Sequence, residues 1–163
     1  MIKGLFETHL YEENLERSID FYANVLGLEQ YLHEEERRAA LFWIGPKRRQ
    51  AMLGLWEKPK EEIDIRHFAF ECDWEWVLYE STKFLETHQL NQWNFLNDGT
   101  KDPMVFTNIP ALAIYFTDPD GHYLEFLGKL PGKYRPELGS LVVSYPEWLK
   151  MEAEQQSDFT RFL

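Results

Sequence analysis

The sequence predicts an α+β fold made of two similar β-α-β-β-β halves and a tail. Three observations predict it. Stretches rich in β-branched and aromatic residues outnumber the stretches with helical apolar spacing. The order of these stretches repeats, and His67 and Phe68 open the second half as His9 and Leu10 open the first. The 163 residues are 44% apolar and 16% aromatic, enough for one ordinary domain or two small halves sharing a dense core.

The elements follow in chain order. Residues 3–11 (KGLFETHLY) read as a strand. Asn14 then opens a helix whose stripe is Leu15, Ile19, Tyr22 and Leu26, and Gly27 stops it. Residues 28–33, 38–44 and 50–56 read as three short strands. Gly45-Pro46 and the basic run Lys47-Arg48-Arg49 turn the chain between the last two. A charged linker, Lys58 to Asp64, ends the first half.

In the second half, residues 65–72 (IRHFAFEC) read as a strand. Asp73 opens one helix carrying Trp74, Leu78, Ser81, Leu85 and His88 on a single stripe. Asn91 to Phe95 is a short strand, and a loop runs from Asp98-Gly99 to Pro110. Strands at 111–117 and 122–128 are joined by Asp118-Pro119-Asp120-Gly121. The tail, 129–163, holds an apolar run at Leu141-Val142-Val143. There Ser144 and Glu147 form a capping-box pattern before a helix over about 145–156. The tail is suited to cap the fold, extend a sheet or pack on a partner.

Composition excludes several classes. A net charge of −11 is the wrong sign for a general nucleic-acid or anionic-membrane binder. The single Cys72 excludes an intramolecular disulfide framework and a Cys-based zinc site. No apolar run approaches the ~20 residues that cross a bilayer. The first residues, MIKGLFETHLYEEN, have no signal-peptide core, so a cytoplasmic location is expected.

The candidate chemistry rests on strand parity. Side chains alternate faces, so Leu5, Glu7, His9 and Tyr11 share one side of the first strand. His67, Ala69 and Glu71 share a side of the fifth, and Tyr123, Glu125 and Leu127 a side of the last. The opposite, more apolar sets meet the helices. Two imidazoles and a carboxylate, His9, His67 and Glu125, then lie on concave faces. They are enough to hold a divalent metal and leave positions open for substrate or water. Tyr11, Trp56 and Tyr115 have the parity to line an aromatic pocket. Cys72 has core parity, and His122, after Asp-Pro-Asp-Gly, reads as structural.

The stretches HLYEENLERSIDFYANVLGLE (9–29), RHFAFE (66–71) and YFTDPDGHYLEFLG (115–128) resemble the vicinal oxygen chelate superfamily. That superfamily includes glyoxalase I, bleomycin-resistance proteins, fosfomycin-resistance enzymes and extradiol dioxygenases. The resemblance covers roughly residues 3–128. It implies two βαβββ modules, about 1–57 and 65–128, in a glyoxalase-like domain 1–128 whose curved sheet surrounds a metal cavity; residues 129–163 are a C-terminal extension. It also implies metal ligands at His9, His67 and Glu125, with Gly54 at the fourth position where glyoxalase I carries a Glu. A glycine cannot replace a proton-shuttling carboxylate, so true lactoylglutathione lyase activity is not expected. Proteins of this size in the superfamily often form homodimers that exchange modules.

The functional expectation is a metal-dependent lyase, thiol transferase or dioxygenase. It would act on a small oxygenated molecule chelated by one divalent ion, Zn, Mn, Ni or Fe. Glu125 is the catalytic candidate, and no nucleic acid or membrane is expected as partner. The alternative is a metal-free small-molecule binding or sequestering protein of the bleomycin-resistance type.

Overall fold

A computed structural model describes residues 1–45 and 51–161, with side chains as far as Gln155. The expected turn residues Pro46 and Lys47-Arg48-Arg49 lie outside the described residues. The chain divides into two compact units. The first holds Met1–Arg66 and the turn Asp118–His122; the second holds His67–Thr117 and Tyr123–Leu163.

In the first unit, β1 (Glu7–Glu12) leads to α1 (Leu15–Asp20), β2 (Glu29–Glu34), β3 (Ala39–Ile44) and β4 (Ala51–Glu57). The sheet order is β1-β4-β3-β2, with β1 parallel to β4 and the other pairs antiparallel. The Asn14 side chain caps α1 by accepting from the Arg17 N–H at 2.9 Å. Glu57, held by Arg38, accepts from the Leu15 N–H at 3.0 Å. Leu15, Phe21 and Tyr22 are buried, as are Phe42, Leu53 and Leu55 of β3 and β4. The expected helix stays α-helical only to Asp20 and then widens into a π turn, Phe21–Val25. Gly27 follows at φ 73°, a left-handed conformation that favours glycine and ends the helix as expected.

The turn Asp118–His122 is tied into this unit. One Asp118 oxygen accepts from the backbone N–H groups of Asp120 (3.0 Å) and His122 (2.8 Å), the other from the Tyr22 hydroxyl (2.8 Å). His122, fully buried, accepts at Nδ1 from the Arg66 N–H (3.0 Å) and donates from Nε2 to the Tyr11 carbonyl (2.9 Å). The structural reading of His122 holds.

The second unit contains β5 (His67–Cys72), α2 (Trp74–Tyr79), α3 (Ser81–Thr87), β6 (Gln92–Trp93) and β7 (Met104–Phe106). It continues with β8 (Ala111–Thr117), β9 (Tyr123–Lys129), β10 (Val142–Ser144) and α4 (Tyr145–Arg161). The order is β10-β7-β8-β9-β5, with β6 also paired to β8. β5 runs parallel to β9, as β1 does to β4. The repeat is therefore one of topology: opening and closing strands of each half lie side by side.

In the second unit three more elements differ from expectation. The single helix after Asp73 is broken at Glu80 into α2 and α3, where Ser81 turns its hydroxyl onto the Val77 carbonyl. The loop before Pro110 holds β7, a strand of three residues whose pairing with β8 and β10 makes it. α4 continues to Arg161, past the expected end. The tail extends the sheet through β10. Its capping box forms: the Glu147 carboxylate accepts from the Ser144 N–H (3.0 Å) and hydroxyl (2.8 Å). Trp148 is buried beneath the Arg135 guanidinium, 4.5 Å from the ring centre.

Candidate metal centre and its cavity

Register explains which side chains meet. Along β5 and β9, His67 pairs with Tyr123 and Ala69 with Glu125. Parity places His67 and Glu125 on the same face, one step apart diagonally, and His67 Nε2 lies 3.1 Å from Glu125 Oε2. Glu125 is only 4% exposed, whereas the His67 side chain is half-exposed. Burial raises the Glu125 pKa, and His67 partly opposes the rise.

The same face builds a cavity of about 810 Å³. Trp93 of β6 pairs with Tyr115 of β8, which in turn pairs with Glu125. The Trp93 and Tyr115 rings stack at 15°, with centres 5.9 Å apart, and Tyr123 meets Trp93 edge-on at 5.7 Å. The His67 ring lies 5.7 Å from that of Tyr115. Burial, with Glu125 nearby, pushes the Tyr115 phenol up to about 12, so it stays protonated and able to donate. Among the described residues, no lysine or arginine lines this cavity.

His67 and Glu125 fit a divalent cation. They offer one imidazole nitrogen and one carboxylate oxygen at a common point. A buried carboxylate is also stabilised by a positive neighbour.

His9 belongs to the first unit, and its surroundings differ. The Trp56 indole N–H donates to His9 Nδ1 at 2.8 Å. His9 Nε2 faces the Glu7 carboxylate at 3.5 Å. Gly54 lies directly opposite His9, and a Cβ there would stand 2.3 Å from His9 Nδ1. The imidazole thus fills the space a side chain would take.

This register corrects the expected equivalence of Gly54 and Glu125. His9 pairs with Gly54 and Tyr11 with Trp56, as His67 pairs with Tyr123 and Ala69 with Glu125. Counted from the histidines, Trp56 stands where the second unit has Glu125. The two positions differ by two residues, a shift that keeps parity and so leaves no sign in the sequence pattern.

A different trio, Glu12, Asp118 and His122, brings ligand-type atoms within 4.8 Å of one another in the first unit. Both His122 nitrogens and both Asp118 oxygens already have hydrogen-bond partners. Burial pushes the Glu12 carboxyl up to about 10, with the Asp120 carboxylate within hydrogen-bonding reach adding to the rise. This trio locks a turn around an acid that burial shifts toward its protonated form, and no imidazole lone pair is left for a metal.

Other candidates settle readily. Burial pushes the Cys72 thiol up to about 11, which suits a core residue and not a nucleophile. Glu71 pairs with Lys129 at 3.0 Å on the surface. Glu57 is committed to Arg38 and the start of α1. Trp93 was not among the expected site residues; only its pairing with Tyr115 brings it to the cavity.

Comparison with known proteins gives the family and fold. The model of the glyoxalase/bleomycin resistance protein/dioxygenase superfamily matches residues 4–126. The metallothiol transferase FosB of Staphylococcus saprophyticus is 28% identical over 130 residues, 77% of this chain and 76% of its own. Lactoylglutathione lyase of Neisseria meningitidis serogroup A is 27% identical over 137 residues, 78% of this chain and 92% of its own. The crystal structure of integron cassette protein HFX_CASS4, from the mobile metagenome of the Halifax Harbour sewage outfall, superposes with a TM-score of 0.64. It is 33% identical and covers 78% of this chain and 99% of its own. Among the described residues, no helix is long and apolar enough to cross a membrane.

Proposed function

Because the chain belongs to the glyoxalase/bleomycin resistance protein/dioxygenase superfamily, we propose that it is a metal-dependent enzyme acting on a small oxygenated molecule. The observation that carries this reading is the His67–Glu125 pair, 3.1 Å apart beside the aromatic cavity. These two residues would hold one divalent ion, Zn, Mn, Ni or Fe, with His9 as the third ligand that the resemblance implies. The metal supplies Lewis acidity toward two neighbouring oxygens or one oxyanion.

The chain's own residues do the rest. Glu125 would bind the ion as a carboxylate through one oxygen, leaving the other free to accept a proton from the substrate. Tyr115, protonated, donates a hydrogen bond to it. Trp93, Tyr115 and Tyr123 clamp a flat group and exclude water. With no lysine or arginine among the described residues of this wall, an uncharged ring suits it better than a phosphonate or polycarboxylate. Trp56 at the place of Glu125 leaves the first unit without the second carboxylate that glyoxalase I uses. Lactoylglutathione lyase activity is therefore disfavoured against thiol transfer or ring oxygenation. The catalytic domain is 1–128, the extension 129–163, and the working form a cytoplasmic homodimer.

The second reading is a binding or sequestering protein, which the aromatic stack favours. Metal content separates the two. Wild type and His67→Ala are purified without affinity-column metal and analysed for elements. About one divalent ion per chain, lost in the variant, supports the enzyme. A wild type that stays metal-free after Zn²⁺, Mn²⁺, Ni²⁺ and Fe²⁺ are added moves the protein to the binding reading.

A further inference from the structure

The two halves give their opening-strand histidines partners of opposite character. His67 faces a carboxylate oxygen, an acceptor; His9 faces an indole N–H, a donor. We propose that Trp56 is a positioning residue that fixes His9 as the tautomer with its proton on Nε2, so that His9 joins a metal only by giving up the Trp56 bond.

A neutral imidazole carries one N–H and one lone pair. The indole N–H at 2.8 Å occupies the Nδ1 lone pair, so the ring proton sits on Nε2 and points toward Glu7, 3.5 Å away. Ligation through Nε2 needs the proton on Nδ1, where two N–H groups would then face each other. Ligation through Nδ1 needs the indole to leave. Either route breaks the same hydrogen bond. The cradle is built for this arrangement: Gly54 opposite His9 leaves the room that the ring fills, and Ala39, buried and paired with Trp56, keeps that flank small. At the matching place in the second unit stands Tyr115, paired with Glu125. Trp56 therefore competes with a metal for His9. The cost is that of one net hydrogen bond, which translates to ~3- to 10-fold in metal affinity.

The part of this inference that concerns metal rests on His9 being a ligand, and the experiment separates the two claims. Imidazole ¹⁵N–¹H spectra of the metal-free protein at pH 8, where imidazoles are ordinarily neutral, report the tautomer directly. Wild type is expected to show His9 as the Nε2–H form. Trp56→Phe, which keeps an aromatic ring and removes the N–H, is expected to show a mixture. Calorimetric titration with Zn²⁺ and with Mn²⁺ is expected to show ~3- to 10-fold tighter binding by Trp56→Phe than by wild type. An Nδ1–H tautomer in wild type, or equal affinities, overturns the proposal. If neither protein takes up either ion, the metal reading falls, and the tautomer spectra alone decide the role of Trp56. Should Trp56→Phe fail to fold, Gly54→Ala tests the same bond, since its Cβ must displace the imidazole from the indole.

Discussion

His9 and His67 sit at matching places in two units of matching topology, yet their neighbourhoods have opposite chemistry. His67 meets the buried carboxylate of Glu125 and an aromatic wall. His9 meets a glycine, an indole N–H and a half-exposed glutamate. The strand framework tolerates both because the ladder is made by backbone, while each face is free to vary. The difference teaches that a repeated fold does not repeat its site. The second half sets its opening histidine 3.1 Å from a buried carboxylate, and the first sets its own beside an indole N–H.

The largest effect should come from breaking that pair. His67→Ala or Glu125→Gln removes a ligand atom and should lower divalent-metal affinity by about a hundredfold or more, since even outer partners of metal ligands are worth about 10–100-fold. Isothermal titration with Zn²⁺ checks this. Affinity unchanged within twofold in both variants would place the metal elsewhere.

The glycines offer a second contrast. A Cβ on Gly128 would stand 2.5 Å from the Trp74 Cα, which is backbone and cannot swing away. On Gly54 it would meet the His9 ring, which can. Gly128→Ala should therefore cost about 1–3 kcal/mol, a fall of roughly 2–12 °C in melting temperature for a chain of this size. Gly54→Ala should fall less. A thermal melt in which Gly54→Ala is the more damaged would mean that the His9 ring is held as rigidly as backbone.

The aromatic wall ranks next. Trp93→Ala removes the stack on Tyr115, and a ring contact is worth about 0.5–1.5 kcal/mol beyond its buried area. Binding of an uncharged aromatic diol such as catechol to the metal-loaded protein should weaken by roughly fivefold on that ground. An equal loss for phosphonoacetate, which has no flat ring, would show that Trp93 supports the fold and not a ring.

Much of this contrast was legible in the sequence, and the part that was not has a definite cause. Alternation along IRHFAFEC and HYLEFL gives His67 and Glu125 matching parity, because side-chain period is a local property, and the two do meet. The Asp118-Pro119-Asp120-Gly121 turn and the capping box at Ser144 were readable for the same reason. Register is not local. Nothing along the chain says whether Gly54 or Trp56 lies opposite His9, since both have the same parity; only the ladder between β1 and β4 fixes it. β7 escaped notice because three residues carry no period, and Trp93 because its role depends on Tyr115 of β8, far along the chain.

A last contrast sets two of the buried carboxyls side by side. Glu125 has an imidazole beside it; Glu12, fully buried, has the Ser18 hydroxyl at 2.8 Å and the carboxylates of Asp118 and Asp120 nearby. Its carboxyl is pushed up to about 10, from an ordinary 4.5, by burial first and then by Asp120. An acid whose pKa is raised on folding adds stability that is whole below its unfolded value and is lost as pH climbs toward the folded one. Between about pH 5 and 10 the protein should thus lose stability with rising pH, by at most about 1.4 kcal/mol per pH unit for a single proton. Glu12→Gln keeps the volume, needs no proton, and leaves a permanent N–H donor for Asp120. Its melting temperature should change less than that of wild type between pH 6 and pH 9, with the two curves converging toward pH 5. Parallel curves across that range would mean that Glu12 is ionised in the folded protein, and that the turn lock at Asp118 holds a negative charge as tolerantly as the His67 pair does.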